Sequence, residues 1–588
     1  MRITLVEPKP PGKHVFSMVT MPRLGLPLLG TVLKNAGHEV RLLYGSGEEI
    51  RVSDLLWADI VGVSTTTSTA AEAYHVARYA KGRGKMVVMG GPHVTFLPDE
   101  ALDNCDYVIR GEADVSFLQL VECIEANELP YYVPGASFRT DGITINNPLS
   151  DWVDVNQSPI PDLSLMAGID SMTTVPIMTS RGCPFDCSFC SVTAMFGRKF
   201  RCRDLELVLE EIAQYSDRQV FFIDDNFTAN PGRAKLLLTE MIKRGIQPKW
   251  WCAQVRTDAV RDDALLELMQ QAGCGCVFVG MESVNPATLE KYNKKQGVSD
   301  IENCIKRFHD HRIMVHGMFV LGSEDDNAQT VRDTVDFAIA NRIDTVQFLI
   351  LTPFVGTRTF DELEAEGRIL TRDWSLYDGH HVVFQPRLMS PIELQTESVK
   401  AFKKFYAASR ITENVMLTGI KSAGFRATGY WLTRKWEKES QWYLKHLDDK
   451  SAVLPPLVSG FQISKSIETL KLKGLRYLST EKLMQMDISD KNGALLVELK
   501  GYLNGVTIKE TFKTFKEKLP RTNKELIINI DQVSFSSEQA IRQFIERLNQ
   551  MAGQAKKIRL KSPVNLDVQQ LLQDIMEKYN FPIPRFDF

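Results

Sequence analysis

No apolar run in this 588-residue chain approaches the roughly eighteen residues of a membrane span. The first residues, Met1-Arg2-Ile3-Thr4-Leu5-Val6-Glu7, enter a strand-like pattern without a signal-peptide core. Strong net charge is also lacking. Against 70 Lys and Arg stand 73 Asp and Glu, a formal charge of -3, which offers no footprint for nucleic acid or another polyanion. Cysteine is sparse: ten scattered residues fit a reducing compartment better than a disulfide framework. No acid–base dyad or nucleophile triad is recognisable. A cytoplasmic location is expected, with a small molecule rather than nucleic acid as the partner.

The composition is that of ordinary globular protein, 44% hydrophobic and 24% charged. At this length about three or four domains are expected. The most informative segment is Arg181-Gly182-Cys183-Pro184-Phe185-Asp186-Cys187-Ser188-Phe189-Cys190. Its C-x-x-x-C-x-x-C spacing supplies three thiolates to a four-iron cluster and leaves one iron open, whereas four cysteines would satisfy every iron and favour electron transfer. Two plainer readings compete. Structural zinc wants four ligands, and apart from Cys202 no further Cys or His stands near. Three buried structural thiols are the other.

With Phe189 just before its third Cys, the segment resembles the signature of radical S-adenosylmethionine (SAM) enzymes. The resemblance implies that Cys183, Cys187 and Cys190 hold a 4Fe-4S cluster whose open iron takes the amino and carboxylate groups of SAM. An electron delivered to SAM then yields a 5'-deoxyadenosyl radical, so an external donor such as flavodoxin or ferredoxin is implied as well.

Residues 1 to 130 alternate strand-like and helix-like segments. Strands at Ile3 to Val6, Glu39 to Leu43, Ile60 to Ser64, Met86 to Met89 and Tyr107 to Ile109 alternate with helical patterns such as Pro27 to Ala36 and Ala70 to Gly82. This order predicts a flavodoxin-like (Rossmann-type) parallel sheet covered on both faces. Such sheets bind ligands beyond the carboxyl ends of their strands. There stand Ser64-Thr65-Thr66-Thr67, Gly90-Gly91-Pro92-His93 and Arg110-Gly111-Glu112, small or polar loops that let backbone approach a large cofactor.

Together with Leu26-Pro27-Leu28-Leu29-Gly30 and Ala36-Gly37-His38-Glu39-Val40, these loops resemble the cobalamin-binding domain of cobalamin-dependent radical SAM enzymes. The resemblance implies cobalamin contacts from Ser64, Thr65, Gly90, Gly91, Pro92, His93, Gly111 and Glu112. The D-x-H-x-x-G loop that supplies an axial His in many cobalamin proteins does not occur, so no His from that motif is expected on cobalt. A flavodoxin-like domain without cofactor is the plainer alternative, and His14 and His93 taken singly read as surface residues.

Residues 131 to 172, rich in Pro, Asp and Ser, read as a linker. From 173 to 385, six strands (Val175 to Thr179, Val220 to Ile223, Lys249 to Ala253, Cys276 to Gly280, Met314 to Leu321 and Thr345 to Leu349) alternate with helices. Six right-handed units predict a partial (β/α)6 TIM-like barrel, open on one side, with its site at the carboxyl ends of the strands. Phe189, Asp224, Asp225, Arg256, Glu282 and Gly322 stand at those ends or in the cysteine loop and are the candidate SAM contacts, the carboxylates for its ammonium and Arg256 for its carboxylate. Polar residues at strand ends also cap helices.

Residues 386 to 450 read as a helical extension. Thr352, Pro353, His380 and His381 are candidate substrate neighbours, because in the family the segment after the sixth strand closes the barrel. Tyr430, Trp431, Trp436 and Trp442 beside Arg434, Lys435 and Lys438 form a face toward an apolar substrate or a membrane surface, or else pack ordinarily. A hinge at 451 to 485 precedes residues 486 to 588, whose alternation of strands and helices resembles a STAS domain, a module that binds partners. Ser536 and Ser537 lie where some STAS proteins are phosphorylated, or cap a helix.

The function expected is a cobalamin-dependent radical SAM methyltransferase acting on an unactivated carbon of a small, hydrophobic metabolite, a lipid or a tetrapyrrole. Oxidative cyclisation or rearrangement is the alternative chemistry, and a non-catalytic iron–sulfur sensor the alternative class.

Overall fold

The computed structural model describes residues 1–9, 21–45, 50–149, 152–166, 172, 174–411 and 420–448, and in the C-terminal part 484–491, 494–503, 511–512, 525–535, 544, 547–548 and 557–561. His14, Ser536, Ser537 and the side chain of Trp442 lie outside these residues. The chain forms two compact units, 1–457 and 458–588.

Unit one opens with a seven-stranded sheet in the order β2-β1-β3-β4-β5-β6-β7. Its strands are β1 (Arg2–Glu7), β2 (Glu39–Tyr44), β3 (Ile60–Ser64), β4 (Met86–Gly90), β5 (Tyr107–Ile109), β6 (Ala136–Thr140) and β7 (Ile143–Asn146). Strands β1 to β5 are parallel, as their near-continuous apolar runs require of strands buried on both faces. The strand order reverses between β1 and β3, which is where ligands of such sheets bind. Strands β6 and β7 form an antiparallel hairpin on β5, so part of the segment read as a linker belongs to this sheet.

The second sheet has six parallel strands in chain order: β8 (Thr174–Ile177), β11 (Gln219–Phe222), β12 (Trp250–Val255), β13 (Cys274–Glu282), β14 (Met314–Leu321) and β15 (Thr345–Ile350). Between β8 and β11, the two-residue strands β9 (Ser180–Arg181) and β10 (Arg201–Cys202) pair antiparallel across the mouth of the cysteine loop. The covering helices begin at side-chain caps: Asp204, Asn230, Asp262 and Asn327 each accept backbone N–H bonds of the first turn. Their apolar stripes join the strands in one core with Trp251, Phe222, Phe308, Phe319 and Phe348 fully buried.

Helices Pro391–Phe405 and Ile420–Asp448 pack on this sheet, with Phe402, Phe405, Tyr406, Leu432 and Trp436 in the same core. The aromatic face expected here divides. Trp436 is buried against His380 and Phe402, while Trp431 is 57% exposed under the ammonium of Lys435. Unit two contains a sheet in the order β16 (Met484–Lys491), β17 (Ala494–Leu503), β18 (Glu525–Phe535), β19 (Lys557–Lys561); β16 is antiparallel and the others parallel. Strand β16 begins inside the stretch read as a hinge. No described helix is long and apolar enough to cross a membrane.

Candidate active site

The cysteine loop leaves β9 through Gly182, whose φ of +86° suits glycine alone; a Cβ there would stand 2.6 Å from the Lys199 carbonyl oxygen. The loop turns on itself where Cys190 N–H donates to the Cys187 carbonyl at 3.3 Å. Cys183, Cys187 and Cys190 are all reduced and half-buried. Burial pushes the Cys190 thiol up to about 12, and charges on Cys187, Asp225 and Cys183 would push it the same way. Burial also raises Cys183, with Arg256 partly opposing. Three soft donors that resist ionising together suit a cationic iron cluster, which stabilises all three thiolates at once. Among the described residues no three His, Cys, Asp or Glu side chains converge as ligands of a single ion.

Two adjacent carboxylates after β11 divide their work. Asp224 is fully buried and accepts N–H bonds from Thr179 at 2.6 Å and Ser180 at 3.1 Å, plus both their hydroxyls. It therefore fixes the start of the cysteine loop and does not face the cavity. Asp225 accepts from Gly182 N–H at 3.2 Å and does face it; burial raises its carboxyl to about 6.

Arg256, after β12, lies 3.7 Å over the Phe185 ring and donates to the Lys294 carbonyl at 2.5 Å, with its Nε 4.0 Å from the Asp258 carboxylate. Lys294 in turn reaches the buried carboxylate of Glu282 at 2.5 Å. Glu282 has φ of +62°, an uncommon conformation for a residue with a side chain. Phe189 packs 4.7 Å from Tyr292, and Gly322, at φ +92°, donates to Asp326 at 3.1 Å. Phe189, Arg256, Glu282 and Gly322, expected at SAM, do not line the cavity, and the three cysteines lie beside it and not in its wall.

One cavity of about 1180 Å³ joins the carboxyl edges of both large sheets. From the first sheet come Glu7, Ser64, Gly90, Gly91, Gly111 and Glu112. A Cβ on Gly91, at φ +102°, would stand 2.5 Å from the Thr65 carbonyl, so the low wall there depends on glycine. Cavity volume and glycine edge fit a flat, bulky cofactor.

Three expected contacts, Thr65, Pro92 and His93, do not line this space. Thr65 is buried beneath it. His93 is a core residue, not a surface one, with Nε2 3.4 Å from Glu100 and its ring 5.1 Å from Trp374. Glu112 is engaged elsewhere as well. Its carboxylate accepts from Arg181 at 2.8 Å and from Arg201 at 2.7 and 2.9 Å, and Asp114 accepts from Arg181 at 3.0 and 3.1 Å. The partner Arg181 was visible in the motif itself, but nothing local announced the pairing.

Thr352, Pro353, His380 and His381, expected near substrate, are also outside the cavity. Thr352 donates to the Ile350 carbonyl at 3.0 Å. His381 pairs with Asp378 at 3.0 Å and meets Tyr443 edge-on, and His380 packs on Trp436. These contacts tie the segment after β15 to helix Ile420–Asp448.

Sheets that share one cavity between a cysteine-loop unit and a nucleotide-type unit define a class, and comparison with known proteins agrees. The model of the radical SAM superfamily matches residues 177–338, and that of the B12 binding domain matches residues 18–121. An uncharacterized methyltransferase, PH0819 of Pyrococcus horikoshii, is 32% identical over 437 residues, covering 70% of this chain and 94% of the relative. Bacteriochlorophyllide d C-12(1)-methyltransferase of Chlorobaculum tepidum is 29% identical, covering 70% and 88%. The chain belongs to the cobalamin-dependent radical SAM methyltransferases, enzymes that use a 4Fe-4S cluster, SAM and cobalamin. Two solved structures share the fold. One is TsrM from Kitasatospora setae with cobalamin and a [4Fe-4S] cluster bound (TM-score 0.57, 17% identity, 74% of this chain and 99% of that one). The other is OxsB with aqua-cobalamin and SAM bound (0.58, 15%, 81% and 75%).

Proposed function

We propose that this chain transfers a methyl group to an unactivated carbon of a small hydrophobic metabolite, with Cys183, Cys187 and Cys190 as the cluster ligands. The single cavity shared by the cysteine-loop sheet and the glycine-edged sheet carries this reading, because a methyl donor and a hydrogen-abstracting group must reach one carbon. When bound, the cluster and SAM supply radical chemistry and cobalamin supplies the methyl group.

The chain's own residues position and shield. The six-stranded sheet acts as a partial (β/α)6 barrel with the site at its strand ends. Asp225 presents an acceptor to the SAM ammonium, and Arg256, stacked on Phe185 of the cysteine loop, is the donor for its carboxylate. Asp224 holds the loop from behind; the Glu282–Lys294 pair and Gly322 shape the strand ends behind the wall, and Phe189 packs the third cysteine's turn. Ser64, Gly90, Gly91 and Gly111 leave room for the corrin face.

The domain bounds we assign are 1–130 for the cobalamin unit, to which the β6–β7 hairpin adds its two strands, 173–385 for the barrel and 486–588 for a STAS-like domain that takes a protein partner; the parallel order of β17, β18 and β19 supports the last. A flavodoxin or ferredoxin supplies the electron. Anaerobic reconstitution with iron, sulfide and hydroxocobalamin, then assay of SAM cleavage and product mass, tests the reading. Methylation adds a methylene unit, and a product without it would mean cyclisation or rearrangement.

A further inference from the structure

Below Asp225 the cavity descends inside the six-stranded sheet. Gln219, Phe221 and Ile223 all face it, and the four steps between the first and last span about 13 Å at ~3.3 Å per residue. At its lower end Cys252 and Cys276 stand opposite one another in register, with Met314 next in line, and Tyr406, Phe425 and Leu432 continue the wall.

Every side chain that β8 and β11 to β15 send into this lumen is uncharged: aromatic, aliphatic, thiol, thioether, hydroxyl, amide or imidazole. The ionic groups that line the cavity, such as Arg181, Asp225, Glu112 and Glu7, belong to the cysteine-loop end and the first sheet. His316 does not break the pattern. Burial holds its imidazole down to about 4, so it is neutral near pH 7, and Nδ1 lies 2.8 Å from the Thr345 hydroxyl. A charge placed here would lose its hydration with no counter-charge, at a cost of several kcal/mol. Neutral oxygen functions, in contrast, find amide partners.

We propose that the lumen selects an uncharged, largely apolar substrate of the lipid-alcohol or lipid-ketone type, its body between the aromatic and sulfur side chains and its oxygen met by the Gln347 amide, which His316 holds in place. Carboxylated, aminated or phosphorylated molecules are rejected, free-acid tetrapyrroles among them. The inference rests on the function proposed above, with the reacting carbon at the upper end near the cysteine loop, and narrows its substrate to one class.

The test uses the full-length protein reconstituted with iron, sulfide and hydroxocobalamin and loaded with the neutral dye Nile red. Decanol, decanoate, decylammonium and protoporphyrin IX are compared as displacing ligands. Decanol is expected to displace the dye at concentrations on the order of tenfold or more below the three charged ligands. The substitution Gln347→Leu is expected to weaken decanol about fivefold, as loss of one hydrogen bond does. If that variant does not fold, the comparison of ligands on the unaltered protein still decides. Equal or tighter displacement by any charged ligand, or none by decanol, overturns the inference. Release of 5'-deoxyadenosine by the same sample separates the two claims: cleavage of SAM with a preference for decanoate sinks the lumen alone, and a preference for decanol without cleavage sinks the function instead.

Discussion

Arg181 donates to Glu112 at 2.8 Å and to Asp114 at 3.0 Å, so the residue two places before the first cysteine of the motif is held by the loop that follows β5. All three side chains are at least nine-tenths buried, and Arg201 completes the set from β10. The cobalamin-side loop thereby sets the approach of the cysteine loop.

Replacing Glu112 by Gln leaves the buried Arg201 guanidinium without its counter-charge and Arg181 with Asp114 alone. Removing one member of a buried ion pair costs about 3–5 kcal/mol. Glu112→Gln is expected to lower unfolding stability by that order in a denaturant titration and to reduce iron bound per chain, with Glu112→Asp less severe. Full stability and full iron loading in Glu112→Gln would show that the network does not brace the loop.

Cys187→Ala is expected to abolish both iron binding and SAM cleavage, since two thiolates cannot hold the cluster. Cys202→Ala is the control. Cys202 lies on β10 opposite Ser180, outside the loop of three, and its loss is expected to leave both properties intact. Iron analysis and 5'-deoxyadenosine release decide; loss of iron in Cys202→Ala would make it a fourth ligand.

Strand positions were legible because buried parallel strands announce themselves as apolar runs: β3, β5 and β14 carry the bounds that their runs predict. The hairpin β6–β7 was not, since Ser137, Arg139, Thr140 and Thr144 on short edge strands dilute the apolar signal. In the site, the cysteine triplet and the glycine loops are local patterns and read directly. Long-range partners are not. Nothing near Glu112 in sequence shows that Arg181 and Arg201 pair with it, and nothing near His93 shows that Trp374, from the segment after β15, covers it. Asp224 and Asp225 are adjacent in sequence yet face opposite ways, which only the turn after β11 decides.

Stability of the cofactor-free protein should fall as pH rises from about 4.5 to about 7 through Glu7. Burial at the end of β1 lifts its carboxyl from 4.5 to about 7, only partly offset by Arg23 at 3.6 Å. The folded state then holds a proton that the unfolded chain has released, so ionisation on folding is penalised across that window. The effect is of order 3 kcal/mol at most, taking ~1.4 kcal/mol per pKa unit. Glu7→Gln should flatten this part of the stability profile, measured by denaturant unfolding at several pH values; an identical slope in the variant would assign the dependence to other groups.

Ending the chain after residue 457 tests whether the catalytic unit is self-sufficient. Among the described residues, its two large apolar cores draw on residues up to Trp436 and Met172 respectively. A core complete within the segment keeps its folding free energy when sequence outside it is removed. The shortened protein is therefore expected to bind iron and cobalamin, cleave SAM and unfold at an unchanged midpoint. Loss of cleavage with cofactor binding retained would assign the C-terminal unit to the reaction, and a lowered midpoint would make it part of the fold.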